Sequence, residues 1–93
     1  MVESYRDLTV WQKAMDLAEM IISLSATLPR EQVYGMSAQM QRSAISVPSN
    51  IAEGHARNST KEYLYHISVS LGSIAELETQ LILCGRVKFL SEN

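Results

Sequence analysis

Apolar residues recur at helical spacing in three blocks of the chain. In the first, Val10, Ala14, Leu17, Ile21, Leu24 and Leu28 follow one another at alternating intervals of four and three, the seam of an amphipathic helix. Trp11, Met15, Ala18 and Ile22 form a second stripe beside it, so the apolar arc is wider than contact with a single neighbour requires. Gln12, Asp16, Glu19, Ser23 and Thr27 are left to face water. Thr9 and Gln12 have capping-box spacing, and Pro29 forbids helical geometry to the residue before it, so the pattern predicts a helix over residues 9–28.

Arg30 to Gly35 reads as a connector. From Met36 the residues Met36, Met40, Ala44, Val47 and Ile51 share one face, and Ala38, Ile45 and Ala52 share another nearly opposite, so a second helix over 36–53 has neighbours on two sides. Pro48 lies inside it, where it removes a backbone donor and presses towards the carbonyl of Ala44. Because the apolar register stays in phase on both sides, Pro48 is read as a kink in one continuous helix. The remaining arc holds Gln39, Arg42, Ser46, Ser49, Asn50 and Glu53, and Gly54 fits a left-handed helix end.

His55 to Asn58 is a polar loop, and Ser59 with Glu62 makes a second capping box that opens a helix over 60–84. Tyr63, Ile67, Ile74, Leu77, Leu81 and Cys84 keep heptad spacing, interrupted by Ser70, while Leu64, Leu71, Ala75 and Ile82 run parallel. With Tyr65, Val69 and Leu83 on a further side, this helix is apolar nearly all round and is expected at the centre. Glu78 projects between its main stripes, where a carboxylate needs a partner, and Arg42 is the candidate to neutralise Glu78 or Glu76. Gly85 is the expected terminus, and Ser91 has the character of an N-cap with no helix after it. Three helices with this many apolar faces cannot bury them among themselves, which implies a fourth helix, further subunits, or both.

Composition narrows the function. The 93 residues suit one domain (residues 1–93) that buries little more than roughly 60% of its unfolded surface, and so gains from association. No apolar run approaches the ~20 residues of a membrane span, the N-terminus lacks the apolar segment of a secretory signal, and one cysteine, Cys84, builds no intramolecular disulfide. A cytoplasmic location without a membrane partner follows as the expectation. Eight basic against ten acidic residues give a net charge of -2, and the basic side chains are dispersed, which weakens a nucleic-acid role; Arg42, Arg57, Lys61 and Arg86 are the candidate contacts if there is one.

Candidate chemistry adds little. There is no nucleophile elbow, no phosphate-binding glycine loop and no His beside an obvious nucleophile, so neither catalytic residues nor a small-molecule substrate are expected. His55, His66, Cys84 and Glu62 lack metal-site spacing: a di-iron bundle repeats Glu-x-x-His on two helices, and here Glu62 and His66 are one residue further apart and unrepeated. No metal or other cofactor is therefore expected. Arg42, Asn50, Glu53 and Glu78 are read as a structural polar cluster, and Met15, Met36 and Met40 as core filler.

The order of these residues resembles the four-helix bundle proteins encoded in intervening sequences of bacterial 23S ribosomal RNA genes. The resemblance runs from about Tyr5 to Leu90 through Leu8-Thr9-Val10-Trp11-Gln12, Pro29 with Glu31, Tyr34-Gly35, Gln39 with Arg42, Ser59 with Glu62-Tyr63, Gly72-Ser73 and Glu76-Leu77-Glu78-Thr79. Its most specific part is Ser46-Val47-Pro48-Ser49-Asn50-Ile51-Ala52-Glu53-Gly54. The resemblance implies an all-α, antiparallel up-and-down bundle that assembles into a ring-shaped homopentamer with no established catalysis. Set against that resemblance, the fourth helix is expected to be absent or only begun at the C-terminus, the 93 residues being either a naturally short form or a fragment of a longer one. A related branch resembles the accessory protein of diversity-generating retroelements, which binds nucleic acid and a reverse transcriptase; that branch is basic and this chain is not. The expected function is a non-catalytic, oligomeric helical scaffold, with Ala38, Ile45 and Ala52 as the packing surface. The alternative is an accessory module for nucleic acid or nucleoprotein, with ribosomal RNA or a reverse transcriptase as partner.

Overall fold

A computed structural model describes residues 4–90. Its elements are α1 (Thr9–Ser25), α2 (Met36–Ala56) and α3 (Thr60–Arg86), with single 3-10 turns at Tyr5–Asp7 and Arg30–Gln32. Among the described residues there is no strand, and the protein is all-α. The expected N-cap at Ser91 lies outside the described residues.

The helices form an elongated body of 45 × 21 × 20 Å. One core cluster joins Ala18, Ile21 and Leu28 to Met40 and Ala44 of α2 and to Leu77 and Cys84 of α3. The second joins Ala14 to Val47 and Ile51, with Trp11 and Ile67 packed against it. The late part of α1 thus meets the early part of α2, which meets the late part of α3, so consecutive helices are antiparallel.

The central helix is α2, not α3. Both α1 and α3 pack on α2, while no Cα of α1 comes within 8 Å of one in α3. The expectation failed because α3 leaves much of its apolar circumference in solvent: Leu64, Leu71, Ile82 and Leu83 are exposed, whereas Met40, Ala44, Val47 and Ile51 of α2 are buried. The two apolar faces of α2, which predicted neighbours on two sides, mark the middle of the layer. By length and composition alone, α3 is apolar enough to cross a membrane, its best stretch having a mean hydropathy of 1.3. Here a polar-spotted seam, with Ser70, His66 and Gln80 buried, packs that helix on α2.

The ends of the helices show how local chemistry sets their lengths. At α1 the residue before the helix is Leu8, so Thr9 is not the cap; Gln12 turns its amide back onto the Arg6 carbonyl at 2.9 Å. α1 stops at Ser25, earlier than residue 28, because its last carbonyls find other donors. Thr27 Oγ1 donates to Leu24 O at 2.7 Å, Ser25 Oγ to Ile22 O at 2.8 Å, and Ser37 Oγ of α2 to Ser25 O at 3.0 Å. Ser59 does cap α3, accepting from the Glu62 amide at 3.3 Å.

Neither Gly54 nor Gly85 is a left-handed terminus, since no described glycine has positive φ. α2 continues through Pro48 to Ala56, and Gly54 is inside it. At the end of α3 the left-handed position is taken by Lys88, at φ 63. Phe89 N–H donates to Cys84 O at 2.9 Å and Lys88 N–H to Gly85 O at 3.3 Å, the paired bonds of a Schellman cap. This turn sends Phe89 and Leu90 back onto the core.

Candidate interaction surfaces

With α1 and α3 both seated on α2 but apart from each other, three grooves stand out among the described residues. The first lies between α1 and α3, about 230 Å³ in volume, with Val10, Leu17, Ile67, Leu71 and Ile74 as walls and Val47 and Ile51 as floor. It is apolar because the stripes that would close a bundle meet only at their base.

The second groove, about 350 Å³, lies on the other side of α1, where Trp11, Met15 and Ile22 face Ile45, Pro48 and Ala52 of α2. Ile45 is 48% exposed there, and Ala38 and Ala52 are half-buried. Pro48 is buried and lines this groove together with Tyr5 and Trp11, whose rings stack edge to face at 5.3 Å. The ring adds apolar surface to this wall, while the helix gives up at this position the N–H that would donate to the Ala44 carbonyl.

The third groove is polar. It lies between α2 and α3, about 210 Å³, and includes Arg42, Ser43, Ser46, Ser73, Glu76 and Gln80. Ser43 Oγ donates to Glu76 Oε1 at 2.6 Å and Ser73 Oγ to Ser46 Oγ at 2.8 Å, tying the helices together. Further along, Asn50 Nδ2 donates to the Ser46 carbonyl and hydroxyl at 2.9 and 3.0 Å. That fixes the Asn50 carbonyl as an acceptor, so His66 Nδ1, 3.0 Å away, carries the proton between them. Glu53 Oε2 lies 3.5 Å from the same nitrogen. Ser70 Oγ, the interruption in the α3 seam, donates to Val47 O at 3.0 Å.

Of the polar residues expected to cluster, Asn50 and Glu53 meet at His66, while Arg42 lies in the polar groove and Glu78 is exposed. Arg42 makes no ion pair with Glu78 or Glu76 among the described residues; Glu78 is turned to solvent, and Glu76 is held by Ser43 instead. Sequence periodicity marked Ser70 only as an interruption and missed Ser43 of α2 and His66, Ser73 and Gln80 of α3 as polar seam residues. The signal on α3 was small or polar side chains falling on the α2-facing side of an otherwise apolar helix.

The basic candidates do not converge. Arg57 lies 3.8 Å from both Glu53 and Glu62, and Lys61 and Arg86 sit at opposite ends of α3, roughly 38 Å apart at the helical rise. His55 packs edge to face on Tyr63, and no group of three or more potential metal ligands occurs among the described residues. Cys84 is fully buried, with Sγ 3.8 Å from Met40 Sδ, and burial pushes its thiol pKa up.

Comparison with curated proteins finds no match. The family model of the 23S rRNA-intervening sequence protein matches residues 6–93, nearly the whole chain and all of its described helices, so this chain belongs to the 23S rRNA-intervening sequence protein family.

Proposed function

We propose that the protein is a non-catalytic building block of a homo-oligomeric helical assembly. The observation that carries this reading is the groove of Trp11, Met15, Ile22, Ile45, Pro48 and Ala52, an apolar surface on the far side of α1 from the other apolar groove. Two such surfaces on a layer one helix deep leave hydrocarbon in water that association would cover, at about 25 cal/mol per Å². The resemblance to ring-forming bundles supports self-association, with five copies the number it suggests. A nucleic-acid reading gains no comparable support, because Arg57 is shared between two carboxylates and the other basic residues are dispersed.

The test is solution mass by light scattering. A multiple of 10.4 kDa is expected for the native chain, and Ile45→Glu, which forces a charge into the covered face, should reduce it. A native monomer, or an Ile45→Glu protein of unchanged oligomeric mass and stability, overturns the reading.

A further inference from the structure

On its outer side α3 carries a seam that the fold leaves open. Lys61, Leu64, Ser68, Leu71, Ala75 and Glu78 follow one another at alternating intervals of three and four, the spacing by which one helix meets another along its length. All six are exposed, because α2 takes the opposite side of α3 through His66, Ser70 and Cys84. Leu64 and Leu71 are each 61% exposed, and with Ala75 they leave an apolar strip in water. Opposite charges close its two ends, and neither Lys61 nor Glu78 is ion-paired among the described residues.

The seam is complementary to its own reverse. Laid antiparallel on a second copy with Lys61 against Glu78, it brings Leu64 against Ala75 and Ser68 against Leu71 of the other chain, and twofold symmetry repeats every pair. Each leucine then faces a small side chain, and each end carries an ion pair. Parallel pairing would set Lys61 on Lys61 and Glu78 on Glu78, which like-charge repulsion disfavours. Sliding the antiparallel pair by one heptad puts Glu78 against Ser68, or Lys61 against Leu71, and loses both ion pairs.

We propose that a second copy of the chain docks along this seam, α3 against α3 in antiparallel. The glutamate that α3 turns away from Arg42 obtains its cation in Lys61 of the second copy. Because α2 already holds α3 as a helix, association orders side chains and not backbone. This contact rests on the reading of the protein as a self-associating unit, but it uses a different surface from the groove of Ile45 and Pro48.

Cross-linking of the native protein with a carbodiimide, which joins a carboxylate directly to an amine, tests the contact, with linked peptides identified by mass spectrometry. Lys61 and Glu78 of one chain stand roughly 26 Å apart along α3 at the helical rise, so a bond between them joins two chains. That Lys61–Glu78 product is expected. Lys61→Glu and Glu78→Lys each set like charges together, and each variant alone should pair through this seam at least about tenfold more weakly. Both positions are exposed, so both variants should keep the native circular dichroism. Mixed in equal amounts, the two variants regain two opposite-charge pairs and should associate as the native chain does. The inference is overturned if the native protein yields no Lys61–Glu78 product, or if the mixture associates no better than either variant alone. An oligomer that lacks the product leaves the proposed function standing, whereas a cross-linked dimer whose mass Ile45→Glu does not change overturns only the role of the Ile45 surface.

Discussion

Replacing Gly54 by alanine puts the packing of α2 on α3 to a sharp test. An ideal Cβ at Gly54 would lie 2.7 Å from His66 Cβ and 3.0 Å from Tyr63 Cδ1. His66 Cβ is one bond from the backbone and cannot swing aside, so α3 itself must retreat, by roughly 0.7 Å to regain an ordinary 3.4 Å contact. A gap of that size forfeits between a quarter and a half of the dispersion well at neighbouring contacts, and it stretches the 3.0 Å bond from His66 to Asn50. Overpacking of this kind costs about 1–3 kcal/mol. Against it stands the helical preference for Ala over Gly, about 1 kcal/mol in the other direction. The two terms leave a net loss of up to about 2 kcal/mol, with the clash expected to dominate. Gly72 provides the internal control: it lies within α3, is exposed, and has nothing within 4 Å of the added carbon, so Gly72→Ala should stabilise by up to about 1 kcal/mol. Urea unfolding followed by far-ultraviolet circular dichroism, at one fixed protein concentration, reads both. If Gly54→Ala is as stabilising as Gly72→Ala, the close approach at Gly54 is not real.

Other consequences follow from particular bonds. Lys88→Gly relieves a left-handed backbone at φ 63 and should raise stability by about 0.5–1 kcal/mol, measured by the same unfolding curves; a loss would show that the lysine side chain matters more than its backbone. Ser70→Ala removes the bond to Val47 O and should cost about 1 kcal/mol without change in oligomeric mass by light scattering. The Cys84 thiol, raised by burial, keeps its proton in the folded chain at pH values where the unfolded chain loses it. Its contribution to stability is thus complete below the ordinary thiol value of 9.0 and is lost as pH rises beyond it. Unfolding midpoints should fall across that window in the native protein and less so in Cys84→Ala, and iodoacetamide should label native Cys84 far more slowly than the urea-unfolded chain.

The sequence by itself determined where the helices are and which faces they have to hide. Periodicity is a local property, so Met40, Ala44, Val47 and Ile51 were recognisable as one buried face, and Gln12, Asp16, Glu19, Ser23 and Thr27 as a solvated one. The Ser59 cap was equally local. Arrangement was not. A helix apolar nearly all round reads as central, yet α3 lies at one side, because α2's small residues allow both neighbours close and the apolar excess of α3 is left facing outward. Gly54 carried the letter of a helix terminus but serves a close approach, and the end of α3 falls after Gly85, with Lys88 in the left-handed position. The polar partners followed the same rule: Arg42 and Glu78 suit each other by charge, but α2 and α3 pack with Glu78 turned to solvent and Ser43 against Glu76. Spacing along one helix fixes which residues share a face. Which face meets which depends on how three helices divide a limited buried volume, and that is decided only when all of them are in place.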